Sequence, residues 1–342
     1  MAHKIHKPYD RVFSIISREW HNLAELVKTI NREVLKPILF PIVEGKITIS
    51  LDGEEITLED QKALVADYRE REDIPAGKRI QPLSVMGKDY AVIDNARSLA
   101  VVEEAIANGL DAKIVTAGTV RAGKSFFLSL QQDDNSVEIL NGDKWDFTLS
   151  IATSHDGTDS WNFYTSSFRT VCWNTLRASL DAADTKAKIF HTKNANLQLE
   201  RMPEIIMAFR NQQQEIIEAL TYLAGIKCDI VKAERIVSGY FSQLQGGEQK
   251  FSARSSNAVR DIATLFVRGK GNQGKTMYDL LNGVTEYYTH GNGTGKSATA
   301  ETRMFRSEFG TAAEHKERFM GLVRNADSRE ELEQVGSLVV LK

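Results

Sequence analysis

KWDFTLSIATSHDGTDSWNFYTSSFRTV, Lys144 to Val171, is the stretch that decides the fold. Trp145, Phe147, Leu149 and Ile151 fall on alternate residues, with Asp146, Thr148 and Ser150 between them. Successive side chains of a strand point to opposite faces, so this alternation predicts a half-buried β-strand. Asp156-Gly157 comes next, a pair suited to the positive φ angles of a tight hairpin turn. Beyond the turn, Trp161 and Phe163 share one face of a second strand. Strands joined this closely run antiparallel.

Working outward, AKIVTAGTV (112–120) and GKSFFLSL (123–130) supply two more strands, with Phe126, Leu128 and Leu130 alternating. Arg121-Ala122-Gly123-Lys124 reads as the turn between them. From about Trp173 the spacing reads as helical and stays so nearly to the end, with Asn174 and Thr175 as caps. The class expected is therefore α+β: an antiparallel β-β-β-α core sheet with a largely helical C-terminal half. Upstream, KDYAVI (88–93) reads as a strand, and Asn95 as the N-cap of a helix that Gly109 stops. ILFPIVEGKITISLDGEEI (38–56) reads as short strands turning at Glu44-Gly45 and Asp52-Gly53. Val12, Ile15, Ile16, Leu23, Leu26, Val27 and Ile30 have helical spacing, which Pro37 ends. Residues 52–73 hold nine Asp or Glu against three Lys or Arg and read as a solvated helix face. Three parts are expected: an N-terminal helix and β-hairpin extension (1–75), an α+β core (76–190) and a helical region packed on it (191–342).

The chain has 342 residues, 42% of them apolar, enough to build a large core. Its net charge of −3 means that any nucleic-acid binding must come from a local patch. The two cysteines, Cys172 and Cys228, lack metal-site spacing, and a reducing cytoplasm is the expected compartment. No apolar run approaches the roughly 20 residues of a membrane helix. No cofactor, metal or catalytic residue is expected.

Two stretches match the phosphate-loop consensus G-x-x-x-x-G-K-[ST]: GTVRAGKS (118–125) and GKGNQGKT (269–276). A third, HGNGTGKS (290–297), differs only at His290. A true phosphate loop needs a strand before it and a helix after it. The first match runs into the strand-like FFLSL and reads as a hairpin. The second precedes a helix but comes after the helical NAVRDIATLFV. Nucleotide hydrolysis is therefore the weaker alternative. Gly-rich basic loops also suit the phosphates of a nucleic-acid backbone.

KDYAVIDNARSLAVVEEAI, AGTVRAGKSFFLSL, SHDGT, FRTVCWNTL and NGVTEYYTH occur in that order, over about residues 80–290. Together they resemble the phage/plasmid-like family grouped as domain of unknown function 932. The resemblance implies a mobile-element origin, hence a bacterial host cell, and supplies no activity. The β-β-β-α order is also that of the phage single-strand annealing proteins, a fold-level analogy. The function expected is non-enzymatic binding and annealing of single-stranded DNA in recombination, by a homo-oligomeric ring or filament. The alternative is an accessory protein that binds a host or phage protein. Single strands need cations for phosphates and flat rings for bases. The candidates are Arg121, Lys124, His155, Tyr164, Arg169 and Arg177 in the sheet half. Arg254, Arg260, Arg268, Lys270, Lys275 and Lys296 come from the helical half. The His155-Asp156-Gly157 turn also admits a structural reading, which leads, and a general-base reading.

Overall fold

The computed structural model describes residues 35–72, 74–140, 142–169, 174–178, 188–202, 210–290 and 306–342. The helix expected over 10–36 lies almost wholly outside them.

Three strands, β1 (Ile42–Gly45), β4 (Gln61–Asp67) and β5 (Ile80–Gly87), form a small antiparallel sheet in the order β1-β4-β5. Between β1 and β4 the chain makes a separate ribbon, β2 (Thr48–Leu51) and β3 (Glu54–Thr57). Asp52 (φ 51°) and Gly53 (φ 88°) turn the ribbon, so this Asp-Gly pair does what its composition predicts. The described part of the acidic run, 52–72, is correspondingly strand and turn where a helix face was expected. The strand expected at 88–93 is displaced as well: β5 ends at Gly87. The pairing of β4 with β5 crosses residue 75. Asp94, not Asn95, caps the next helix, α1 (Asn95–Ala107), by accepting from Arg97 N at 2.7 Å. Gly109, at φ 98°, lies just past its end.

The main sheet is an antiparallel meander of β6 (Lys113–Val120), β7 (Ser125–Leu140), β8 (Asp143–Ser154), β9 (Trp161–Arg169) and β10 (Asn174–Ala178). Its spatial order is β10-β9-β8-β7-β6, and a short β11 (Lys188–Ile189) pairs with the start of β9. A strand takes the place of the helix expected near Trp173. Asn174–Ala178 pairs with Thr165–Arg169, so Asn174 and Thr175 are strand residues and not caps.

Register explains the core. Leu128 pairs with Ile151, and Ile151 with Phe163, so these three share a face. That face packs against Leu99 and Val102 of α1 and against Ala195 and Leu199 of α2 (Ala195–Leu199). Trp161 is fully buried there and donates Nε1–H to Ser98 Oγ at 3.1 Å. Further back on β8, Trp145 and Phe147 join a second core built by the helices. These are α3 (Arg210–Ala224), α4 (Ile230–Leu244), α5 (Ala253–Arg268), α6 (Met277–His290), α7 (Thr311–Arg324) and α8 (Ala326–Ser337). One long strand therefore feeds two cores. The fold is α+β, and its C-terminal half is helical, as expected.

Helix α6 is the axis of the second core: Leu280, Leu281 and Val284 are fully buried within it. Helices α4 and α8 meet backbone to backbone. A Cβ on Gly239 would stand 2.0 Å from Leu332 O, and one on Gly336 would stand 1.8 Å from Arg235 O. Any side chain at either position forces the pair apart. Among the described residues, no helix is long and apolar enough to cross a membrane.

Candidate nucleic-acid interface

The first phosphate-loop match is a hairpin tip. Arg121 (φ 58°), Ala122 (φ 58°) and Gly123 (φ 84°) turn the chain from β6 into β7, and a strand stands where a phosphate loop would need a helix. Arg121 is exposed, but its charge is paired. Its guanidinium forms an ion pair with Asp156 and donates to Thr158 Oγ1 at 2.7 Å. Asp156 also accepts from Thr158 Oγ1 at 2.6 Å, so its carboxylate ties the two loops together. Lys124 is half-buried, and its carbonyl accepts from His155 N at 2.7 Å.

His155 is a structural anchor. It is 1% exposed, so it cannot meet a nucleic acid, which corrects its expected place at the interface. Its Nε2 lies 2.8 Å from Asn95 Oδ1, and Asn95 Nδ2 donates to Ile38 O at 2.7 Å. An amide oxygen only accepts, so Nε2 carries the proton and Nδ1 is bare. Burial holds the imidazole neutral, with its pKa pushed down to about 3; nearby His191 pushes the same way and Asp156 opposes. His191 donates Nδ1–H to Ala91 O at 3.0 Å and is stacked on Tyr90, with centroids 4.6 Å apart. Its Nε2 therefore accepts from Thr153 Oγ1 at 3.2 Å. Burial lowers its pKa too. Tyr90 OH donates to Ser154 O at 3.0 Å, and Ser84 Oγ donates to His155 O at 2.5 Å. The turn thus fastens the small sheet and α1 to the main sheet.

Of the remaining candidates in the sheet half, Tyr164 is half-buried beside Phe309, with centroids 6.2 Å apart. Arg169 lies opposite Asn174 and Trp145, whereas Arg177 lies opposite Ser166.

The second match joins α5 to α6. Here the chain supplies its own anion. The carboxylate of buried Asp279 accepts from Gln273 N at 3.1 Å, Lys275 N at 2.9 Å and Thr276 N at 3.0 Å. Thr276 Oγ1 accepts in return from Asp279 N at 3.2 Å. This is a reciprocal capping box, with Thr276 at the cap and Asp279 three residues on. The amides that would cradle a phosphate are occupied, and the element before the loop is a helix. Neither match has the geometry of a nucleotide-hydrolysing loop.

Arg254, Arg260 and Arg268 are exposed on α5, and Lys270 and Lys275 are exposed in the loop after it. From Arg254 to Arg268 the helix rises about 21 Å. Arg260 donates to the main-chain oxygen of Lys342 and, at 3.4 Å, to Asn257 Oδ1. Asp261 is the acidic residue on the same helix, half-buried. Lys296 lies outside the described residues.

The structure does not bring the two basic loops together. Ser125, just past the hairpin tip, pairs with Ser154 at the end of β8. The other loop leads into Tyr278, whose hydroxyl donates to Asp143 Oδ2 at 2.8 Å at the start of β8 and accepts from Trp145 Nε1 at 2.6 Å. The 12 residues of β8 separate these points by about 36 Å. Arg121–Lys124 and Arg268–Lys275 therefore do not line one groove.

The sequence reading passed over Asp279 and His191, and gave Asn95 only the role of a helix cap. A signal existed for the first, because Thr276-x-x-Asp279 has the capping-box spacing. It also passed over Lys316, fully buried in α7 with Nζ 3.0 Å from Ser307 Oγ and 3.2 Å from Thr289 Oγ1. Among the described residues, no three His, Cys, Asp or Glu side chains gather in a way that could hold a metal ion.

The family described as Domain of unknown function (DUF932) matches residues 82–325. That is well over half of the chain, and the chain belongs to this family. The match runs past the expected limit near 290, taking in α7. No curated protein matches the chain, and no solved structure does.

Proposed function

We propose that this member of the DUF932 family binds single-stranded nucleic acid along α5 and the loop after it, without catalysing a reaction. One observation carries the reading. Arg254, Arg268 and Lys275 are exposed along one helix and its C-terminal loop, with no carboxylate partner among the described residues. Arg121, by contrast, is held by Asp156. Unpaired cations in a row serve a strand's phosphates, and the chain's net charge of −3 confines binding to such a patch. The mobile-element resemblance supports single-stranded DNA and a role in recombination. The analogy with annealing proteins no longer adds support, because β10 stands where its helix should.

The test is an anisotropy titration of the full chain with single- and double-stranded oligonucleotides at several salt concentrations. Removing one phosphate-binding cation should flatten the slope of log affinity against log salt by about 0.7. Replacing Arg254, Arg268 and Lys275 together by alanine should flatten it by about 2 and weaken binding to every sequence alike. A folded wild-type chain with no affinity for single strands at low salt refutes the reading.

A further inference from the structure

The ribbon β2–β3 is an anomaly. It contains no buried residue, although a lone two-stranded hairpin is marginal in water. Ile49 pairs with Ile56, and Leu51 lies two residues along, so these three share one face, 46%, 49% and 60% exposed. Its rim is acidic: Asp52, Glu54 and Glu55 are all exposed. That charge excludes a nucleic-acid or anionic-membrane partner and calls for an apolar patch ringed by cations.

The chain carries an apolar corner flanked by three cations and one carboxylate, Glu200. At the corner between β11 and α2, Phe190 is 60% and Leu197 65% exposed. Exposed Lys188, Lys193 and Arg201 flank them, with Lys188 Nζ 5.1 Å above the Phe190 ring. Two large apolar side chains this exposed, seven residues apart at one corner and flanked by cations, offer a docking surface. Ribbon and corner do not cover one another within the chain, since both are exposed. They are neighbours, however. Lys88 is bonded to Asp60 beyond the foot of the ribbon at 2.5 Å, and adjacent Asp89 is bonded to Lys193 in the corner at 2.9 Å.

We infer that two copies of this chain pair by exchanging ribbons, the Ile49–Leu51–Ile56 face of each docking on the Phe190–Leu197 corner of the other. Both contacts are made at once about a two-fold axis, so the assembly closes as a dimer and does not grow into a filament. Apolar contact holds the pair, and the acidic rim against the basic rim sets its orientation. The inference is independent of nucleic-acid binding, because the α5 stripe takes no part in it.

Charge exchange between variants tests it, read by sedimentation equilibrium on the full chain over a wide concentration range. One variant carries Asp52→Lys, Glu54→Lys and Glu55→Lys; the other carries Lys188→Glu, Lys193→Glu and Arg201→Glu. All six positions are exposed, and circular dichroism checks that both variants fold. Wild type should dimerise, each variant alone should dissociate about tenfold or more readily, and an equimolar mixture should recover the wild-type mass. A wild-type monomer at every concentration overturns the inference, as does a dimer indifferent to both reversals. A monomer whose ribbon amides resist hydrogen exchange also overturns it and assigns the ribbon to residues 1–34 of its own chain.

Discussion

GTVRAGKS and GKGNQGKT satisfy the same eight-residue consensus, yet one closes a β-hairpin and the other caps a helix. In each the loop is stabilised by a carboxylate of this chain. Asp156 reaches the guanidinium of Arg121 from the neighbouring hairpin, and Asp279 reaches three backbone amides from within its own helix. The difference lies in what the carboxylate satisfies. A partly exposed ion pair is worth little, because water serves both ions nearly as well. Buried amides at a helix start have no such substitute.

Asp279→Ala should break the second loop most severely. It orphans three amides and removes the capping box, at a cost of about 3 kcal/mol in urea unfolding. A loss below about 1 kcal/mol would mean that water already serves those amides.

Acid should separate the loops next, because His155 braces only the first. Its folded pKa of about 3 lies below the ordinary value of 6.5, so the unfolded chain binds a proton that the folded chain excludes. Its neutral anchoring is fully effective above pH 6.5 and is lost progressively as pH falls toward 3. Within that window it contributes about 1.4 kcal/mol of lost stability per pH unit. His191, also lowered, adds in the same direction. His155→Gln should flatten the fall in stability between pH 6 and pH 4, measured by chemical denaturation; an unchanged slope would show that the proton enters elsewhere.

Asp156→Ala should cost about 1 kcal/mol or less and leave Arg121 free, adding a cation at the hairpin tip. A larger loss would put the ion pair in a drier setting than its exposure implies. The smallest effects belong to the lysines that carry the consensus. Lys124→Ala and Lys275→Ala should each move stability by less than about 0.5 kcal/mol. Neither should alter nucleotide turnover, expected to be zero in a phosphate-release assay. Turnover that vanishes in both variants would restore the nucleotide reading.

The parts of the fold legible in the sequence were those with long, clean periods. The alternation of Trp145 to Ile151 and of Phe126 to Leu130 gave β7 and β8, and the helical spacing after residue 210 gave the second core. β10 was missed because five residues, Asn174–Ala178, carry too little period, and pairing with β9 decides their state. β5 was missed because Pro82 speaks against a strand. It is tolerated on an edge strand, beside the register shift at Leu64/Val65. At the candidate site, exposed arginines on α5 were legible from composition alone. The burial of His155 and the pairing of Arg121 were not, since both depend on Asn95 and Asp156 arriving from other elements.

The two glycines where α4 meets α8 also bear on how the chain is made. Gly239 leaves the ribosome roughly a hundred residues before Gly336. At 5–20 residues per second, that is a delay of about 5–20 s. Throughout it, α4 presents a bare backbone groove that awaits its close-fitting partner α8. The packing of α4 on α8 is therefore completed only once α8 has been synthesised, and a nascent chain arrested before α8 leaves that groove open to capture by chaperones and proteases.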